Sequence, residues 1–184
     1  MTSGLLHAGT LVVEPTRDGG GRAAEIKDRS GVVHATSGED GTIRDSAGAE
    51  VLRAQARPAR RVRDVGIDVR DAQGQKLGEA GVDGYTIGFG RRKATLSIRD
   101  ATGGEVARLE PRDKRGEELE AVVGGSTIAT VSVEQVKTGL LRRARVSTLD
   151  FVAEAPEPTR LLVLAGVVHY GAMLDHVAQL TSDD

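Results

Sequence analysis

Val69-Arg70-Asp71-Ala72-Gln73-Gly74 is one of four copies of a short phrase, the others being Ile26-Lys27-Asp28-Arg29-Ser30-Gly31, Ile43-Arg44-Asp45-Ser46-Ala47-Gly48 and Ile98-Arg99-Asp100-Ala101-Thr102-Gly103. Each copy joins a strand-like stretch to an Asp-x-x-Gly turn and then to a second apolar stretch. An Asp at the first corner of a type I turn accepts a hydrogen bond from backbone two residues on, and a Gly at the fourth corner lets the chain re-enter a strand. The phrase therefore encodes a β-hairpin, and its repetition predicts a sheet or barrel of serial hairpins. No reactive side chain sits in its constant positions, so Asp28, Asp45, Asp71 and Asp100 read as turn formers on separate hairpins, not as convergent catalytic carboxylates.

Outward from these turns, residues 10–14 (TLVVE) read as a first strand, and 15–21, with Gly19-Gly20-Gly21, as a loose connection. Short strands are expected near 24–27, 32–36, 41–44 and 51–55. The Pro and four Arg of residues 57–63 (RPARRVR) interrupt the rhythm and mark a mid-chain crossover. Strands resume at 65–70, 75–79, 85–89, 94–99 and 105–109. Segments 119–123 and 127–133 flank Gly124-Gly125, a pair suited to a tight primed turn, and 146–153 closes the series. Twelve or thirteen strands are more than one flat open sheet usually holds without closing or splitting.

The period changes after Pro156 and Pro158. Residues 161–174 (LLVLAGVVHYGAML) are apolar nearly all round, and a helix of that kind must be surrounded by lipid or by protein. Fourteen residues at about 1.5 Å each span roughly 21 Å, short of the ~30 Å of a bilayer core. His169 in the middle also argues for protein. Small residues at Ala165, Gly166, Gly171 and Ala172 would let strands come close to the helix axis. The expectation is one domain over 1–184: a closed antiparallel barrel of about twelve strands within 8–155, around a buried hydrophobic helix over 159–180.

Composition narrows the chemistry. A chain of 184 residues can bury a substantial core, and with aromatics at 2% that core must be built from Val, Leu, Ile and Ala. There is no Cys, which excludes disulfides, thiolate metal sites and a Cys nucleophile. The first residues lack a basic and an apolar signal region, so the expected location is the cytoplasm. A net charge of -2 gives no global attraction to nucleic acid, and bases would find almost no aromatic side chains to stack on. Abundant Arg and Ala with no Asn point to a GC-rich bacterial genome. No nucleophile elbow, Walker-type loop or His-Glu-x-x-His helix is present, and Gly88-Phe89-Gly90-Arg91 lacks the third glycine of a dinucleotide site. An enzyme is not expected, and no cofactor is.

About twelve strands with Asp-x-x-Gly turns, followed by a hydrophobic helix ending in Leu174-Asp175, resemble the tubby C-terminal-like fold. Within it the pattern is most similar to LURP-one-related and phospholipid-scramblase-like proteins. The residues that carry the resemblance are Val69-Arg70-Asp71-Ala72-Gln73-Gly74-Gln75-Lys76-Leu77-Gly78, Ile98-Arg99-Asp100, Phe151 and 161–175. It covers roughly residues 8–180 and implies a barrel of about twelve strands around one C-terminal helix. The acylated Cys cluster of scramblase-like membrane proteins is missing, as is an Asp-x-Asp-x-Asp-Gly calcium run, so lipid translocation is not implied.

Basic residues gather in three places: Arg57, Arg60, Arg61 and Arg63; Arg91, Arg92 and Lys93; and Arg142, Arg143 and Arg145. If closure brings clusters to one end, their guanidinium forks can hold phosphates in bidentate fashion. The bland reading is a solvated rim balanced by Asp64, Asp68 and Glu134. His169 and His176 share a helix face, but no strand residue is nominated as a third metal ligand, so His169 is expected to be a core histidine bonded to backbone. The functional expectation is a non-enzymatic binding or tethering module that meets anionic lipid headgroups peripherally, with no membrane span. The alternative is a soluble protein-interaction or structural barrel with no lipid role.

Overall fold

The structure is a computed structural model that describes residues 9–16, 23–88, 91–137 and 143–182. Twelve strands form a closed antiparallel barrel in simple up-and-down order: β1 (Thr10–Pro15), β2 (Ala24–Lys27), β3 (Val33–Ser37), β4 (Thr42–Asp45), β5 (Glu50–Ala56), β6 (Gly66–Asp71), β7 (Lys76–Gly88), β8 (Arg91–Asp100), β9 (Glu105–Pro111), β10 (Glu118–Val123), β11 (Ser126–Lys137) and β12 (Arg143–Phe151). An even count lets β12 close against β1 without a parallel seam, in the register Thr10↔Asp150 to Val13↔Ser147. One 26-residue helix, α1 (Glu157–Ser182), follows.

The four Asp-x-x-Gly phrases make one turn four times. Gly31, Gly48, Gly74 and Gly103 all have φ between 79° and 89°, the left-handed region that an L side chain resists. In the copy at Asp71, Oδ1 accepts from the amides of Gln73 and Gln75 at 2.9 and 2.8 Å, while Gly74 N–H reaches Asp71 C=O at 3.0 Å. A register shift lies just before each Asp, at Ile26/Lys27, Ile43/Arg44, Val69/Arg70 and Ile98/Arg99, as a type I turn closed by a bulged glycine requires.

Two sequence expectations are corrected. Residues 57–63 read as a mid-chain crossover, but β5 and β6 are paired neighbours, so the segment is a local connection within the meander. Segments 75–79 and 85–89 read as two strands, but β7 runs unbroken over 13 residues to Gly88. Residues 80–84, with Gly81 and Gly84, fall between those two segments. Gly81 faces Gly66 across the ladder, and the chain passes Val82/Gly84 as a bulge within the β7–β8 pairing. Thirteen candidates thus become twelve strands.

Inward-facing Leu11, Ile26, Ile43, Leu52, Val69, Leu96, Ile98, Leu109, Leu119 and Leu149 are essentially inaccessible and surround α1. Residues 161–167 are all buried. At 100° per residue, seven consecutive positions cover every side of a helix, so this stretch is enclosed by the wall. The helix is long and apolar enough by composition to cross a membrane, yet 67% of its apolar window is buried inside the protein. Its fit to the wall is close: a Cβ added to Gly78 would lie 2.1 Å from Arg99 C=O and 2.9 Å from Leu162 Cδ1. One turn on, Gly166 lies beside Ile98, Ala80 and Leu96.

Candidate functional site

An up-and-down meander has two ends, and alternate connections fall at the same one. All four Asp-x-x-Gly turns follow even-numbered strands and lie at the end where α1 enters. The arginine-rich segment 57–65 links β5 to β6, Arg91 to Lys93 open β8, and Arg143 and Arg145 open β12. Each follows an odd-numbered strand. The described members of the three clusters therefore fall at the opposite end of the barrel, where α1 finishes, with the β11–β12 cluster well round the rim from the other two.

Within that end the arginines differ in freedom. Arg57 is a strut: its guanidinium lies across the side-chain-free pair Gly66↔Gly81, where an added Cβ would come within 2.3 and 2.7 Å of Nη2. Its Nη1 sits 3.4 Å from Glu79, which also pairs with Lys76 and Arg99. The hydrogen bond from Lys76, followed by the charges of Lys76, Arg57 and Arg99, holds the Glu79 carboxyl below its ordinary range. Arg60, Arg61 and Arg63 are exposed, on or beside a one-turn 3-10 helix (Val62–Asp64), and form no ion pair among the described residues. Asp68 pairs with Lys76 at 3.9 Å, and among the described residues neither Asp64 nor Glu134 forms an ion pair with these arginines.

Arg60, Arg61, Val62 and Arg63 line an open depression of about 510 Å³, together with Tyr85 of β7 and Leu180 and Thr181 of α1. Tyr85 and Ala94 are direct cross-strand partners, so they share the face that looks over the helix. Tyr85 is nonetheless 47% exposed, because β7 overshoots its neighbours here. Sequence reading missed Tyr85, Leu180 and Thr181 as neighbours of the arginines. Strand alternation alone would have put Tyr85 on the inner face, but the position of the β5–β6 connection needed the folded chain.

Arg145 points inward and lies over α1, its Nη1 3.4 Å from a Cβ added to Gly171. It is half-buried, as is Lys93. Arg91, Arg92 and Arg143 are strand positions whose side chains lie outside the described residues, and Arg142 lies outside them altogether.

Tyr170 ties the helix to the wall at this end: its hydroxyl accepts from Ala94 N–H and donates to Ala94 C=O, both at 2.9 Å. Burial raises its ionisation above the ordinary tyrosine range. His169, expected to bond backbone, has an Nε2 with no hydrogen-bond partner, and burial lowers its pKa to about 4. Exposed Asp175 and half-buried His176 lie further along the same helix. Among the described residues no three His, Asp or Glu side chains gather as a metal site. The chemistry on offer at this end is exposed guanidinium, without a direct ion pair among the described residues, beside a half-exposed tyrosine.

No family model, no curated protein and no solved structure matches this chain.

Proposed function

We propose that this chain is a non-enzymatic binding module that docks peripherally on anionic lipid headgroups through its arginine-rich end. One observation carries the reading: the meander sends every arginine cluster to the same end, where Arg60, Arg61 and Arg63 are exposed and unpaired among the described residues. A basic residue near an anionic surface contributes about 1 kcal/mol, so these three give roughly 3 kcal/mol at low salt, and Lys93 and Arg145 add to it. Attraction of that size is weak and reversible, and it fades as the Debye length shrinks from ~10 Å at 0.1 M to ~3 Å at 1 M salt. We further propose, on the repeated turn and the enclosed helix, that the barrel is of tubby C-terminal-like type, of the LURP-one-related and scramblase-like kind, acting at the cytoplasmic face of a membrane.

Co-sedimentation with neutral and with anionic vesicles tests this. Pelleting with phosphatidylserine-containing vesicles at low salt, lost at high salt and lost in an Arg60→Glu, Arg61→Glu, Arg63→Glu variant, is the expected result. Failure to pellet with any vesicle at low salt would overturn it and leave a soluble interaction barrel as the better reading.

A further inference from the structure

Among the described residues, two strand pairs stand well above both of their neighbours. The β7–β8 ladder keeps pairing for five rungs, Gly84↔Thr95 to Gly88↔Arg91, after β8 has parted from β9 at Leu96↔Leu109. On its other side β6 has already ended, at Gly66↔Gly81. The β11–β12 ladder continues for four rungs, Glu134↔Val146 to Lys137↔Arg143, after β12 leaves β1 at Val13↔Ser147 and β11 leaves β10 at Glu118↔Ser132. At ~3.4 Å per rung these ribbons continue for about 17 and 14 Å beyond their last neighbours. Both run from the arginine-rich end, and α1 is braced by both, through Tyr170 on Ala94 and Arg145 over Gly171.

Each arm carries one exposed large hydrophobic side chain, Tyr85 on β7 and Val136 on β11. The other two in the described chain, Val32 and Val152, sit at the far end among the Asp turns and Glu154. Apolar exposure alone does not choose an end. Charge does: Val32 N–H bonds the Asp28 carboxylate, the nearby Arg29 is already paired with Asp150, and Val152 is two residues from Glu154, whereas Tyr85 lines a depression with Arg60, Arg61 and Arg63, and Val136 is next to the rung Gln135↔Arg145. An amphipathic tyrosine beside cations suits the boundary between headgroups and acyl chains.

We propose that the protein docks end-on, with the β7–β8 and β11–β12 arms as the two elements that enter the headgroup layer of an anionic bilayer, and the barrel and its Asp-turn end held away from it. This rests on the lipid reading above. The occupant is a flat, negatively charged lipid surface, since two arms at one end of a barrel make simultaneous contact with a plane, and their described side chains put Lys93 and Arg145 near Tyr85 and Val136, with Glu134 the one carboxylate, at the base of the β11–β12 arm.

The chain has no cysteine, so single labels are unambiguous. Thr86→Cys and Val136→Cys place an environment-sensitive fluorophore on exposed positions of the two arms, and Gln73→Cys places it in an exposed turn at the far end. With vesicles of equal parts phosphatidylcholine and phosphatidylserine at low salt, the two arm labels should shift to the blue and lose access to an aqueous quencher, while the label at position 73 stays unchanged. If the protein pellets but the arm labels stay solvated, or if all three respond alike, end-on docking is wrong and the lipid reading survives. If the protein does not pellet, both fail.

Discussion

Replacing Tyr170 by Phe removes one oxygen and keeps the ring. That oxygen bonds both the N–H and the C=O of Ala94, a residue only 1% exposed. Neither group has another partner in the ladder, because pairing between β8 and β9 stops at Leu96↔Leu109. Continuing that register would set Pro111 opposite Ala94, and proline has no amide hydrogen to offer. The tyrosine thus satisfies an edge that the sheet cannot. Two hydrogen bonds at about 1 kcal/mol each set the lower figure, and stranding two buried backbone groups at ~1–3 kcal/mol apiece raises it, less the hydroxyl's own desolvation, so we expect a loss of about 2–3 kcal/mol.

For a chain of this size that corresponds to a fall in Tm of roughly 5–10 °C. Urea unfolding should show a lower midpoint with an unchanged m-value, since the surface exposed on unfolding is the same. Hydrogen exchange supplies the local readout: the Ala94 amide should lose protection while those of Ile98 and Leu96 keep theirs. A loss below about 0.5 kcal/mol with Ala94 still protected would refute the reasoning, because it would mean that the edge is satisfied without Tyr170.

Other outcomes follow from the same packing. Removing residues 157–184 takes away the helix that fills the lumen, and the barrel should be insoluble or molten; a soluble truncation with cooperative unfolding would show that α1 is not its core. Gly78→Ala puts a methyl group 2.1 Å from Arg99 C=O and 2.9 Å from Leu162, so the wall and helix must part; a destabilisation of about 3 kcal/mol or more is expected by denaturant titration, against near-neutrality at Gly84, where nothing lies within 4 Å. His169 has a folded pKa of about 4 against an ordinary 6.5, so the unfolded chain binds the extra proton between these values. Stability is therefore full above pH 6.5 and falls by up to about 3 kcal/mol as pH drops to 4, and His169→Leu should flatten that slope. At the closing seam Asp150 binds Thr10 on β1 and Arg29, at 3.1 Å, on the β2–β3 turn; Asp150→Ala should speed exchange of the β1–β12 amides more than those of β7–β8.

Hairpins and helix were legible because both are local signals. An Asp that caps its own turn needs only four neighbours to do so, and fourteen apolar residues in a row declare enclosure wherever they lie. Convergence of the arginines is a matter of parity, and parity is global. Split at Gly81 to Gly84, the chain has thirteen strands, which cannot close antiparallel and which set Arg57 to Arg63 at the opposite end from Arg91 and Arg143. One bulge read as a break therefore hides the site. Tyr85 and Tyr170 were hidden for another reason: the first is exposed only because β7 outruns β6, the second bonded only because β8 outruns β9, and relative strand height is not written in either strand alone.

The same meander couples the site to the core. Helix α1 enters among the Asp turns and finishes beside Arg60, Arg61 and Arg63, with no basic residue in its own last turn. The negative end of its dipole thus lies beside side chains of the β5–β6 connection, an interaction of about 0.3–1 kcal/mol that salt screens. On the proposed reading the same arginines serve two anions, the helix end and a lipid headgroup. Reversing their charge should weaken vesicle binding and also loosen the last turns of α1, whereas Arg→Gln removes attraction without adding repulsion. If the Gln variant loses vesicle binding while exchange at 177–180 is unchanged, the loss belongs to the headgroup; if both change together, the helix end is where those charges act.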